Sequence, residues 1–215
     1  MSKEQTLASI LEIGIVPIVR AGSAGQALEA AKAICRGGIR VLEVTMTVPG
    51  ALRVLEKVAD EFGGQITLGA GTVLDPETAR SCMLAGAKFL VSPSVSLRTI
   101  EICHRYSVVA MPGALTPTEV AAAWEAGADL VKIFPAGNVG GPSYIKALKA
   151  PLPQVLMVPT GGVGIANAAE FFQAGASAVA VGSEIVGKKE LAAGDYDGIE
   201  KKARRFLEVV TAARK

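Results

Sequence analysis

Histidine is nearly missing from this chain. His104 is the only one, which excludes His-cluster zinc sites and any Ser-His or Cys-His nucleophile pair. Cysteine is scarce too: Cys35, Cys82 and Cys103 are odd in number, share no CxxC spacing and fall in helix-like segments. Buried free thiols in a reducing cytoplasm are the simplest expectation for such a set. Aromatic residues make up only 5%, so Ala, Val, Ile and Leu must supply the core, as in a parallel sheet covered by helices. Neither sign of charge dominates: 22 Lys and Arg stand against 20 Asp and Glu, scattered along the chain, which argues against a nucleic-acid partner. Nothing approaches the roughly 18 consecutive apolar residues of a membrane span. Residues 1–10 carry charges and no long apolar run, so no membrane partner and no secretory signal are expected.

What is present is a large apolar fraction with a repeating order. The 215 residues are half hydrophobic, enough for one large core and short for two independent domains. Runs rich in Val, Ile and Leu recur at Val16–Arg20, Val41–Met46, Gln65–Leu68, Phe89–Ser92, Val108–Met111, Leu130–Phe134, Val155–Val158 and Ala178–Val181. Each has the length of a strand buried on both faces. Between them lie segments of helical spacing, such as Gln26–Arg36, Pro76–Leu84, Pro117–Glu125 and Ala166–Gln173. Asp75-Pro76 and Thr116-Pro117 read as an N-cap followed by a first-turn proline.

The repeat of about 20–25 residues suits βα units. Gly37-Gly38-Ile39, Ala85-Gly86-Ala87, Ala126-Gly127-Ala128 and Ala174-Gly175-Ala176 each close a helical segment before an apolar run, as a left-handed C-cap glycine does. These features predict an α/β fold, a single-domain (β/α)₈ TIM barrel over residues 1–215. An extra N-terminal helix near Lys3–Ile13 covers its bottom, and a last helix lies within Tyr196–Lys215. An open doubly wound sheet also alternates strands and helices. It usually carries G-x-G-x-x-G at its first strand-to-helix turn, and here that turn is Arg20-Ala21-Gly22-Ser23-Ala24-Gly25.

In a barrel of this kind the active site lies at the C-terminal strand ends. Side chains alternate along a strand, so in Leu130–Pro135 the helix-facing residues are Val131 and Ile133, and Lys132 and Phe134 point inward. A lysine in an apolar strand is costly unless paired or neutral. In water a lysine is roughly 0.04% neutral at pH 7, and an apolar wall favours the neutral amine that forms a Schiff base. The alternative for Lys132 is a structural ion pair. By the same parity Glu43 and Thr45 point inward from Val41–Met46. Two readings of Glu43 stand: a proton shuttle, or a counter-ion to Lys132.

Gly69-Ala70-Gly71-Thr72, expected after strand three, allows close backbone approach and offers the Thr72 hydroxyl to a carboxylate. Thr160-Gly161-Gly162 after strand seven and Gly182-Ser183 after strand eight are where many barrels hold phosphate on backbone N–H groups. Tight turns alone are the competing explanation. His104 reads as a surface residue and Trp124 as helix-to-barrel packing. Lys188-Lys189-Glu190 and Glu200–Arg205 read as solvated charge.

With these residues in hand the chain resembles the 2-keto-3-deoxy-6-phosphogluconate aldolase family, whose members often also cleave 4-hydroxy-2-oxoglutarate. The resemblance runs over essentially the whole chain. Its markers are Leu42-Glu43-Val44-Thr45, Gly69-Ala70-Gly71-Thr72-Val73, Val91-Ser92-Pro93, Met111-Pro112-Gly113, Lys132-Ile133-Phe134-Pro135 and Pro159-Thr160-Gly161-Gly162-Val163. It implies a class I aldolase without metal or other cofactor, typically a homotrimer, acting on a small keto acid.

The resemblance further implies Lys132 as the Schiff-base lysine and Glu43 as the proton-transfer residue. Thr72 would meet the pyruvate carboxylate and Phe134 the pyruvyl carbons, with Pro93 also at the substrate. Gly161, Gly162, Gly182 and Ser183 would take the phosphate. Members acting on the galactonate epimer tend to carry valine where Thr160 stands, so Thr160 points to the gluconate substrate. Many members carry a carboxylate-binding arginine where this chain has Thr47. Arg20, at the end of strand one, is the candidate replacement. The competing functions are a 2-keto-3-deoxy-6-phosphogalactonate aldolase, a phosphate-binding epimerase or decarboxylase without a covalent step, and a non-catalytic barrel.

Overall fold

Short β-branched runs alternating with amphipathic segments take the form expected of them in the structure, a computed structural model describing residues 1–215. A helix, α1 (Lys3–Ile13), comes first. It is followed by β1 (Ile15–Val19), α2 (Ala24–Arg36), β2 (Val41–Thr45), α3 (Ala51–Phe62), β3 (Thr67–Gly71), α4 (Pro76–Leu84), β4 (Phe89–Val91) and α5 (Leu97–Arg105). Then come β5 (Val109–Met111), β6 (Gly113–Ala114), α6 (Pro117–Glu125), β7 (Val131–Ile133), α7 (Pro142–Lys149), β8 (Met157–Pro159), α8 (Ala168–Gln173), β9 (Val179–Val181), α9 (Lys188–Ala193) and α10 (Tyr196–Ala213).

All strand pairs are parallel, in the orders β5-β4-β3-β2-β1-β9 and β6-β7-β8. β5 and β6 are one run broken at Pro112, which has no N–H to give a ladder. Its carbonyl still accepts the Lys132 N–H at 2.9 Å. On the far side Thr160 bridges Ala180 in parallel. The result is an α/β fold whose parallel sheet curls round on itself, as in a TIM-like barrel.

The core divides by sheet face. Val41 and Leu130 belong to an inner apolar cluster with Val16, Ile18, Phe89, Val109, Met111, Val158 and Ala180. Leu42, Val44, Val131 and Ile133 belong to the larger outer cluster beneath the helices. The alternation argument therefore holds on β2 and β7: Glu43 and Lys132 share the inner face. α1 closes the end of this interior opposite the strand C-termini. Its Ile10 is fully buried in the inner cluster, and its Ser9 hydroxyl accepts from Thr67 at 2.9 Å.

The caps follow their sequence signals. Asp75 accepts from the Thr78 N–H at 2.6 Å ahead of Pro76, and Thr116 forms a capping box with Glu119 ahead of Pro117. Gly38, Gly86, Gly127 and Gly175 sit at φ of 94°, 103°, 89° and 99° just past α2, α4, α6 and α8. The three thiols are free and buried. No helix is long and apolar enough to cross a membrane.

Two expectations need correction. Strand three is Thr67–Gly71, not Gln65–Leu68; Gln65 ends a 3-10 turn, and Gly69 and Gly71 lie inside the strand. Their missing side chains are used by neighbours: a Cβ on Gly69 would overlap the Phe89 ring, and one on Gly71 would overlap the Glu43 carboxylate. Trp124 does not pack on the barrel. The inward residues of α6 are Val120 and Ala123, and Trp124, one step further round, is 44% exposed.

Candidate active site

The strand C-termini open into a cavity of about 920 Å³ whose wall includes every residue singled out from the sequence as a site candidate: Arg20, Glu43, Thr72, Pro93, Lys132, Phe134, Thr160, Gly161, Gly162, Gly182 and Ser183. They come from the ends of β1, β2, β3, β4, β7, β8 and β9. The curl of the sheet is what brings such distant positions together.

Lys132 anchors the floor. It is 7% exposed, flanked on the sheet by Gly113 and Val158. None of the nine ion pairs within 4.0 Å involves it. This removes the simple structural ion pair as its reason for being there. Its Nζ lies 5.1 Å from the centre of the Phe134 ring, a cation–π distance. The bond from Phe134 to Pro135 is cis.

Glu43 is 1% exposed, and its Oε2 has no hydrogen-bond partner. Leaving a buried acceptor unpaired costs about 1–3 kcal/mol, so this carboxylate is not where a fold optimised for stability alone would put one. Burial pushes its pKa up; Lys132 and, to a lesser degree, Arg20 pull it partly back down. The group is thus biased toward holding a proton and faces two cations that favour releasing it, as a proton carrier requires.

Thr72 sits at φ 58°, a left-handed conformation unfavourable for a β-branched residue by about 1–2 kcal/mol. Bonds on either side impose it: Met46 N–H donates to the Gly71 carbonyl at 2.8 Å, and Val73 N–H to the Val91 carbonyl at 3.1 Å. Such strain, held in place by its surroundings at a cavity wall, is typical of functional positions. The Thr45 and Thr47 hydroxyls bond each other at 2.7 Å. Thr47 is not on the cavity wall, whereas Arg20 is.

The far side of the cavity is built from main chain. Gly161 and Gly162 have φ of 84° and 77°. A Cβ on Gly162 would come within 2.8 Å of the Gly137 Cα, so the two loops meet backbone to backbone. The N–H groups of Gly161, Gly162, Val163, Ser183 and Glu184 donate to no protein acceptor. Free amides on a cavity wall are suited to binding anions. The Thr160 side chain, 3% exposed, donates to the Val158 carbonyl at 3.3 Å.

Sequence reasoning missed Asn167, Glu184 and Lys188, which also line the cavity. Asn167 bonds the Gly162 carbonyl at 2.9 Å and the Gly164 N–H at 2.8 Å, setting the shape of that loop. Lys188 is exposed as expected and also lines the cavity, whereas Glu190 of the same run is paired with Lys202 at 2.5 Å rather than simply solvated. Within the Glu200–Arg205 run, Glu200 is likewise more than solvated charge, since it pairs with Arg36 of α2 at 2.8 Å. His104 is on the surface as expected, with its Nδ1 3.4 Å from Lys3 Nζ.

A sequence profile of the KDPG and KHG aldolase family matches residues 7–202. The chain is 34% identical over 198 residues to a 2-dehydro-3-deoxy-phosphogluconate aldolase of Treponema pallidum, covering 92% of this chain and 94% of that one. It is 35% identical over 201 residues to a KHG/KDPG aldolase of Escherichia coli, covering 93% and 94%. A crystal structure of KDPG aldolase from Legionella pneumophila, with pyruvate captured as a covalent carbinolamine intermediate, superimposes with a TM-score of 0.86 at 29% identity, covering 93% of this chain and 97% of that one.

Proposed function

Because the chain belongs to the KDPG and KHG aldolase family, we propose that its cavity cleaves 2-keto-3-deoxy-6-phosphogluconate to pyruvate and glyceraldehyde 3-phosphate, with Lys132 as nucleophile and Glu43 as proton carrier. It is a class I aldolase, an aldehyde-lyase, and 4-hydroxy-2-oxoglutarate is a second substrate in keeping with the family. The observation that carries the site assignment is one buried, unpaired lysine sharing a cavity with one buried carboxylate that lacks a hydrogen-bond partner.

The neutral Lys132 amine adds to the C2 ketone, and Glu43 gives its proton to the departing hydroxyl as the carbinolamine loses water, leaving a protonated imine and a Glu43 carboxylate. That cation is the electron sink. Glu43 takes the C4 hydroxyl proton while the C3–C4 pair moves into the imine, releasing glyceraldehyde 3-phosphate and leaving an enamine. Glu43 returns its proton to C3, and hydrolysis of the resulting imine frees pyruvate and neutral Lys132, the released proton going back to Glu43. Thr72 and Arg20 hold the pyruvate carboxylate, and Phe134 and Pro93 pack on the carbons beside it. The free amides around Gly161, Gly162 and Ser183, with Gly182 leaving open space beside them, take the phosphate. Thr160 favours the gluconate over the galactonate epimer.

The wider reading is a single-domain, closed (β/α)₈ barrel with α1 as its extra helix, working in the cytoplasm as a homotrimer. Buried free thiols are in keeping with a reducing compartment. Leu74 and Leu97, 61% and 60% exposed, are side chains an assembly would cover.

Borohydride reduction in the presence of pyruvate, followed by peptide mass spectrometry, tests the assignment. A reduced pyruvyl adduct on Lys132 is expected. An adduct on another lysine would reassign the nucleophile. No adduct at all, with pyruvate shown to bind, would favour the non-covalent epimerase or decarboxylase.

A further inference from the structure

Two charged side chains on the cavity wall have no part in the mechanism above, Glu184 and Lys188. Both are exposed, and neither has an opposite charge within 4.0 Å. Glu184 follows Ser183 on the turn after β9, whose N–H groups at both residues are free, and Lys188 opens α9 just beyond it. Glu184 leans toward the loop after β8, where its Oε2 lies 3.8 Å from the place a Cβ would take on Gly164. The other lysines nearby are not available to this end. Lys189 does not line the cavity, and Lys202 is bound to Glu190 at 2.5 Å.

Main-chain amides orient an anion through partial charges, but they bring no net charge to offset a phosphate dianion. Of the three cations on the cavity wall, Arg20 follows β1, which pairs with the Glu43 strand, and Lys132 lies within β7 on the inner face that Glu43 shares. That leaves Lys188 for the amide-lined end. We propose that Lys188 is a specificity-determining residue that contacts the distal phosphate of the substrate, and that Glu184 opposes it by weakening anion affinity at the same end. This rests on the aldolase reading and adds the charge that selects between its phosphorylated and unphosphorylated substrates.

The test is steady-state kinetics of the wild type, Lys188→Met, Glu184→Gln and Lys189→Met. The substrates are 2-keto-3-deoxy-6-phosphogluconate and 4-hydroxy-2-oxoglutarate, which carries no phosphate. Lys188→Met is expected to raise KM for the phosphorylated substrate about tenfold, the loss of one charge-assisted hydrogen bond, and to flatten its dependence on salt. Glu184→Gln is expected to lower the same KM, by roughly two- to threefold. Lys189→Met serves as the control and should leave it unchanged. KM for 4-hydroxy-2-oxoglutarate should move little in all three. An unmoved KM in Lys188→Met, or an equal rise for both substrates, would overturn the proposal while cleavage itself upholds the aldolase. A wild type that cleaves neither substrate and traps no pyruvate would overturn both.

Discussion

Gly71 and Glu43 occupy one space between them: a side chain on Gly71, however small, would overlap the carboxylate of Glu43 from the neighbouring strand. The parallel register sets Gly71 beside Thr45 and Glu43 beside Gly69, so the carboxylate leans along its strand across the bare backbone of β3. The position of the proposed proton carrier is therefore written partly in a residue that has no chemistry of its own.

Gly71→Ala is expected to keep the fold and lose the reaction. The added methyl must displace Glu43 or part β2 from β3, at a cost of about 1–3 kcal/mol in stability. With its carboxylate misplaced, kcat should fall roughly 10²–10⁴-fold, the usual contribution of one acid–base group. Circular dichroism and steady-state kinetics check the two halves; a fully active variant would contradict the role of Glu43.

Replacing Lys132 separates charge from nucleophilicity. Lys132→Arg keeps a cation beside Glu43 but supplies no amine for an imine. Both it and Lys132→Ala should show background cleavage only and no borohydride-dependent adduct. Substantial cleavage by either would remove the covalent step.

Glu43→Gln should be inactive yet more heat-stable than the wild type at neutral pH. The folded-state pKa of Glu43 is raised, so the unfolded chain gives up this proton first as pH rises. The stability associated with the protonated form is complete below the unfolded pKa and is lost as pH climbs through the folded one. The advantage of Gln over Glu should thus be absent in acid and grow toward neutrality. Melting temperatures across that range measure it, and a constant difference would rule the linkage out.

Arg20→Met should act at two places. It removes the cation proposed for the pyruvate carboxylate, raising KM about 10- to 100-fold. It also removes a charge that holds the Glu43 pKa down, so the acidic limb of the kcat profile should shift to higher pH. A KM effect without the pH shift would leave Arg20 as a binding residue uncoupled from Glu43.

Much of this was legible in the sequence because period and parity are strong signals. Alternation alone put Lys132 and Glu43 on the inner face, and the Asp75-Pro76 and Thr116-Pro117 pairs marked two helix starts. The failures have a common physical origin. Gly69 and Gly71 read as a segment after strand three where bare backbone lets a ligand approach; only the Phe89 ring and the Glu43 carboxylate, both distant in sequence, show that this bare backbone belongs inside the strand. Trp124 reads as helix-to-barrel packing, yet a turn of about 100° per residue on a helix decides which side chain faces in, and on α6 that is Ala123. Lys188 was invisible among neighbouring charges, since a charge run does not reveal which member overlooks a cavity.

The amide-lined end of the cavity has an evolutionary consequence. The groups proposed to bind the anion are peptide N–H, which no side-chain replacement short of proline can delete. Substitutions there change the charge and bulk at the rim while the donors persist, so the distal half of the site is free to drift toward new anionic substrates. The Lys132–Glu43 half has no such freedom, because each function proposed for it hangs on a single side chain.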